Sequence, residues 1–386
     1  MTAPLVPGSE AEVAEILRAG PPVALRGGGT RAPAPEPGTV LLSTAGLTGI
    51  TLYEPGALTL VARAGTPLAE VEAALAAEGQ MLPFEPWDAR ALTGATGAPS
   101  FGGMAATNAS GPRRPVAGAC RDSMIGVRFV DGTGMVVKNG GRVMKNVTGL
   151  DLVKLMAGSH GTLGVLTEIS VKVLPRPERV ATLVLRGLDP AQAVAAMSVA
   201  LCTPFQVSGA AHLPDRGETW LRLEGFAGSV AHRARALAAE LVIFAEAEMA
   251  ERDWTEVRDA RPLAGAEAPG AVWRISVKPS DGPGVVAALG PDARWLMDWG
   301  GGLVWARVPE AFDLRAALAA IPGHATLVQP GRATPPRWPL LPPEAPAVAA
   351  LSAALRARFD PAGRLDPGRL DPGHLDPGRP RGPVAA

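Results

Sequence analysis

The apolar positions of the N-terminal stretch switch between helical and extended spacing. Val13, Ile16 and Leu17 share one face of a helix that Ser9 can cap, with Glu12 three residues on. Pro21–Arg26, Thr39–Leu42 and Leu58–Ala64 read as strands. A second helix is predicted from Pro67, with Thr66 as its N-cap and Leu68, Val71 and Leu75 on its inner face. Residues 94–118 are dense in glycine and carry no long apolar run. Ile125–Val130 and Met135–Lys138 then read as a hairpin around Asp131-Gly132, and Leu163–Leu174 as a further strand ended by Pro175-Arg176-Pro177.

From about 179 the pattern changes to strands alternating with helices, as in an α+β layer. Strands are predicted at 182–185, 220–223, 271–277 and 303–308, and helices at 190–201, 229–241 and 309–320. Beyond 360 the tetrapeptide Leu-Asp-Pro-Gly occurs three times, at Leu365, Leu370 and Leu375. So much Pro and Gly excludes helix and central strand, and residues 371–386 are expected to be a disordered tail.

Composition narrows the classes. Lys+Arg and Asp+Glu are both 37, so the chain lacks the basic excess of a general nucleic-acid binder. Its 386 residues allow two or three domains. Two cysteines, Cys120 and Cys202, cannot hold a four-thiolate iron–sulfur cluster. No apolar run is long enough for a transmembrane helix, and the first residues lack a signal-peptide pattern. The expectation is a cytoplasmic protein.

Three segments carry candidate chemistry. Arg26-Gly27-Gly28-Gly29-Thr30 follows a strand directly, so backbone N–H groups could approach an anion without obstruction. By itself it also fits any tight turn. Thr93–Gly111, with Gly97, Gly102, Gly103, Thr107 and Asn108, is almost all small or hydrogen-bonding residues, as suits backbone pressed against a flat polar ligand or a solvated loop. Gly158-Ser159-His160-Gly161-Thr162-Leu163-Gly164-Val165 leads glycines into an apolar strand.

In this order the three segments resemble the FAD-binding domain of the vanillyl-alcohol oxidase / p-cresol methylhydroxylase superfamily. Within it, the chain is most similar to the FAD-binding subunits of bacterial glycolate oxidases. Ala109–Pro115, Arg121-Asp122, Val143–Leu152, Gly158–Pro177 and Phe359–Arg369 carry the likeness. The resemblance implies an α+β protein: a two-subdomain PCMH-type FAD-binding domain over 1–178 and an α+β cap over 179–345. It further implies a C-terminal segment, 346–370, that returns to the FAD domain. It implies that Arg26, Gly27, Gly28, Gly29 and Thr30 hold the pyrophosphate. Gly97, Gly102, Gly103, Thr107 and Asn108 would line the flavin–pyrophosphate stretch, and Gly158, Gly161, Gly164 and Val165 would meet the cofactor through backbone. Partners would be a catalytic flavoprotein subunit and an iron–sulfur subunit, with peripheral attachment to the inner membrane through that complex and no nucleic acid.

Departures from the pattern refine this. Some relatives attach FAD through a His in the first glycine loop; Thr30 stands there and cannot form that bond, so non-covalent FAD is expected. The five histidines show no metal-ligand spacing, and no metal site is expected. His212 and His232 read as neutral surface or loop residues, and His160 as either near the flavin or simply packed. Arg222, Arg274 and Arg307 appear scattered. Arg113-Arg114 and Lys145-Asn146 could bind a carboxylate or phosphate, dock a partner, or form a salt bridge at a domain edge. Seven of the eight tryptophans lie from Trp220 onward, in a core or interface pattern. No catalytic residue is assigned. Glycolate oxidation to glyoxylate within a complex is the expected function. The alternatives are a self-sufficient FAD-dependent 2-hydroxy-acid dehydrogenase and a non-catalytic flavoprotein subunit.

Overall fold

The computed structural model describes residues 3–31, 38–141, 149–265, 268–332 and 337–367. Its first half is built on a five-stranded antiparallel sheet. The strand order is Ile50–Glu54, Thr59–Arg63, Val165–Lys172, Met124–Val130, Val136–Gly140. Helices Leu68–Ala77 and Phe101–Ala106 close its core, where Leu60, Leu75, Phe101, Phe129 and Ile169 are fully buried. Beside it, Val23–Arg26 pairs in parallel with Val40–Ser43. The capped helix Glu10–Ala19 covers that pair through Val13 and Leu17; the Ser9 hydroxyl accepts from Glu12 N, and Glu12 returns a bond from Gly8 N. The chain end docks here too. Val23 N donates to Arg364 O, and Leu25 N to the Asp366 carboxylate.

The second half is one eight-stranded antiparallel sheet made from two copies of the same βαββαβ unit. The first runs Arg179–Arg186, helix Pro190–Cys202, Val207–Leu213, Glu218–Gly225, helix Ala227–Leu241, Ala247–Ala250. The second runs Ala271–Val277, helix Gly282–Ala288, Arg294–Asp298, Leu303–Val308, helix Leu314–Ala317, Gly323–Gln329. The second strand of each unit meets its counterpart edge to edge, with His212 opposite Met297. One sheet face buries Leu183, Leu221, Trp273 and Val304 under the units' own helices. The opposite face carries Trp220, Leu296, Leu303 and Trp305 and is covered by Trp87, Leu92, Trp254 and Leu263. A strand sandwiched this way is apolar on both faces, so its period-two pattern fades.

Several sequence expectations change. Thr66 does not cap the second helix, because its hydroxyl bonds both ways with the Gly49 backbone, leaving Pro67 in the capping position. The glycine-dense stretch contains a helix, Phe101–Ala106, capped by Ser100. The helix expected over 309–320 shortens to Leu314–Ala317 with Asp313 as cap, since Pro309–Phe312 forms a turn. His212 is 2 % exposed rather than superficial: its strand is buried throughout, its Nδ1 lies 2.9 Å from Thr219 Oγ1, and its ring stacks on Trp295. His232 is exposed on its helix. Strands 50–54, 207–213, 247–250, 294–298 and 323–329, and helix Pro346–Phe359, have no counterpart in the sequence reading. Lys145-Asn146, part of the Val143–Leu152 motif and the 371–386 tail lie outside the described residues.

Candidate active site

The five-stranded sheet and the parallel pair frame a cleft of about 810 Å³, counting its open mouth. Arg26, Gly27, Gly28, Gly29, Thr30 and Arg31 form one wall, and Gly102, Gly103, Met104 and Thr107 another. His160, Gly161, Gly164, Val165 and Leu166 complete it. Backbone hydrogen bonds bring these segments together. Ser100 Oγ accepts from Gly28 N and Gly103 N, each at 3.2 Å. Gly158 N and His160 N donate to Ala105 O and Ala106 O, docking the third segment on the short helix.

The close packing explains why glycine is required. A Cβ on Gly28 would lie 1.5 Å from Ala98 O, and one on Gly97 would lie 1.8 Å from Gly28 O. These two glycines let two backbones touch, and Gly97 stands behind the wall rather than in it. Asn108 and Gly158 are likewise absent from the lining. Asn108 adopts φ 49° and accepts from Arg121 N through its side chain. The Thr107 hydroxyl donates to Gly103 O at 2.8 Å and accepts from Arg31 Nη1 at 2.9 Å. Thr30 is 7 % exposed. Sequence reasoning missed Arg31, Pro86, Ser100 and Leu68 as lining residues; Arg31 adjoins the glycine loop, which was the available signal.

The wall suits a long anionic ligand carrying a flat ring. It offers closely approachable backbone at the glycines and apolar side chains at Leu25, Leu68, Met104 and Leu166. Arg26 Nε is buried without a hydrogen-bond partner, a position that a phosphate oxygen would satisfy.

Two arginine groups join this half to the eight-stranded sheet. In one, Arg222 is 2 % exposed and grips Glu85 through Nη1 and Nη2 at 2.9 and 2.8 Å, while Arg113 bonds both Glu85 and Glu224. Burial pushes the Glu224 carboxyl up, but the Arg113 hydrogen bond and the charges of Arg222 and Arg113 outweigh it and hold the group down to about 2. Of the three readings open for Arg113, the salt bridge between the halves is the one observed.

The other group centres on Trp299. Its backbone has φ 54°, followed by Gly300 and Gly301 also at positive φ, and its indole donates to Gly111 O at 3.0 Å. Arg114 Cζ lies 4.6 Å and Arg274 Cζ 4.8 Å from this ring. Burial lowers the Arg274 pKa to about 10, and the Arg114 charge adds to the effect. Asp298, fully buried, is raised by burial to about 7, although Trp299 N donates to its carboxylate. Cys120 is buried, which pushes its thiol up. Arg307 donates to four backbone carbonyls and is structural. Among the described residues, no cluster of His, Cys, Asp and Glu could hold a metal, and no helix is long and apolar enough to cross a membrane.

Comparison with known proteins agrees with this geometry. A family model described as an FAD binding domain matches residues 2–140. The chain is 39 % identical over 286 residues to glycolate oxidase subunit GlcE of Escherichia coli (strain K12), covering 73 % of this chain and 75 % of that protein. It is 32 % identical over 165 residues to glycolate oxidase subunit GlcD of Bacillus subtilis (strain 168), covering 42 % of this chain and 34 % of that protein. The fold is similar to 4-ethylphenol oxidase from Gulosibacter chungangensis, with TM-score 0.69 at 13 % identity over 95 % of this chain and 88 % of that one. The α+β architecture, the glycine-walled cleft and the extent of the likeness agree, and the chain belongs to the family of FAD-binding oxidoreductases that includes GlcE.

Proposed function

We propose that this chain is the FAD-binding subunit of a complex that oxidises glycolate, or a closely similar 2-hydroxy acid, to the 2-oxo acid. The observation that carries it is the cleft walled by Arg26–Arg31, Gly102–Thr107 and His160–Leu166, in a chain that matches GlcE over most of both lengths. FAD, when bound, would supply a two-electron acceptor for the oxidation. The chain's residues would bind and orient it. Gly27, Gly28 and Gly29 present backbone to the pyrophosphate, and Arg26 supplies a guanidinium N–H. Gly103, Thr107, Gly161, Gly164 and Val165 face the remainder of the cofactor. Gly97, Asn108 and Gly158 would hold these walls in place from behind. Thr30 leaves the flavin non-covalent. The FAD-binding part spans 1–178 with 346–370, and 179–345 forms the cap.

The partners would be a catalytic flavoprotein and an iron–sulfur subunit, since two cysteines here cannot supply a cluster. The complex would lie in the cytoplasm, against the inner membrane. Co-expression with those two subunits tests this. The three should co-purify with glycolate-dependent reduction of dichlorophenolindophenol, and the isolated chain should turn over little. A flavin-loaded chain that neither joins the partners nor raises their activity would contradict the assignment.

A further inference from the structure

Burying a guanidinium without an acid is costly, so proteins rarely do it. Arg274 is half-buried, with its Nε fully so, and comes close to that case. Among the described residues it has no hydrogen bond or ion pair, and its Nε is buried unsatisfied. The rings of Trp299 at 4.8 Å and Trp305 at 5.9 Å lie against it. Arg114 likewise has no ion pair among the described residues and rests on the same Trp299 ring. The two Cζ atoms can therefore be no further apart than the sum of their distances to that centroid.

The surroundings keep this region positive. Strand register puts Arg274 opposite Trp305 on one side and Thr326 on the other, so His324 shares the same sheet face. Partial desolvation, and then the charges of Arg274 and Arg114, push the pKa of the exposed His324 down. Asp298 is the acid near Arg274, and burial holds it up to about 7, so at neutral pH it cancels only part of the charge. A run of ring contacts links the site to the cleft. Arg31, on the cleft wall, stacks on Trp87 at 4.1 Å, and Trp87 meets Trp305 edge-on at 5.1 Å.

We infer that Arg114 and Arg274, positioned by Trp299, form a binding site for the carboxylate of a small organic acid at the Arg31 end of the cleft. The choice of a carboxylate rests on the function proposed above; the site itself rests on the unpaired guanidinium groups. Trp299, in turn, is fixed by the Gly111 carbonyl and by Asp298, so one residue ties the first half to the cap at the point where the acid would sit.

The test uses the purified flavin-loaded chain and oxalate, which cannot be oxidised by hydride transfer. Calorimetric titration should show saturable oxalate binding, accompanied by a change in tryptophan emission. Ethylene glycol, which lacks the carboxylates, should give none. Arg274→Met and Arg114→Gln should each weaken oxalate by about tenfold or more, the usual scale for a lost charged hydrogen bond, with FAD content unchanged. Arg274→Lys should retain part of the affinity, and it serves as the folding control if Arg274→Met is unstable. No binding by the wild type, or unchanged affinity in the Arg274→Met/Arg114→Gln double variant, overturns the inference. Sulfate binding as tightly as oxalate overturns the carboxylate assignment. A chain that holds FAD but ignores oxalate loses only this site, whereas a chain that holds no FAD loses the proposed function.

Discussion

Arg222 and Arg274 lie at the same junction, one in each βαββαβ unit, and their surroundings are opposite. Arg222 is enclosed by Glu85, Ser208 and Glu224, with Trp254 beneath it at 4.5 Å. Arg274 has aromatic rings but, among the described residues, no acid within ion-pair distance. A buried charge with all its bonds made locks two parts of a structure together. A half-buried guanidinium whose Nε is shut off from water with its bond unmade is kept at a cost in stability, which is the mark of a group reserved for a ligand. The first unit therefore joins the halves, and the second would meet the substrate.

Breaking the closed network should have the largest effect. Glu85→Ala leaves Arg222 and Arg113 without their shared acid and should destabilise the protein by about 3–5 kcal/mol, read from urea unfolding. A loss under about 1 kcal/mol would mean that the network is not what joins the halves. Next comes His212, at the seam between the units. Burial lowers its pKa to about 4 from 6.5. A depressed folded-state pKa gives stability that is present above about pH 6.5 and is lost as pH falls through about 4, by roughly 3 kcal/mol in all. His212→Gln should flatten the melting temperature between pH 6.5 and 4; an unchanged slope would place the acid sensitivity elsewhere. The smallest effect should come from Arg274→Met. With no partner to strand, it should leave stability within about 1 kcal/mol of the wild type or raise it, where Arg222→Met loses several. Equal losses in the two variants would erase the distinction.

The two halves differed in how much their sequence disclosed. Cofactor loops need glycine wherever backbone meets backbone or ligand, and that demand shows as Gly27–Gly29, Gly102-Gly103 and Gly161. At Gly97 the backbone that comes close is that of Gly28. In the second half, strands buried on both faces lose their alternation, and Val207–Leu213 passed unnoticed as small apolar residues around a histidine. The repeat of the βαββαβ unit left no obvious mark in the sequence, because the packing specifies burial and strand order rather than identities. Arg114, Arg274 and Trp299 are far apart along the chain, and only the fold brings them together. Trp299-Gly300-Gly301, three consecutive residues at positive φ after a strand, was the one local signal available.

The central claim is that the cleft is the FAD site, and flavin content tests it most directly. Gly103 lies on the wall, where an added Cβ would meet only Ser100 Oγ, at 3.1 Å. A leucine side chain there would project into the cleft without disturbing the backbone contacts that Gly28 and Gly97 require. The wild-type protein should purify yellow and release its FAD into the supernatant on acid precipitation. Gly103→Leu should purify colourless with unchanged far-ultraviolet circular dichroism. Full flavin occupancy in a folded Gly103→Leu protein would contradict the placement of the site, and flavin that stays with the precipitated wild-type chain would contradict the non-covalent reading of Thr30.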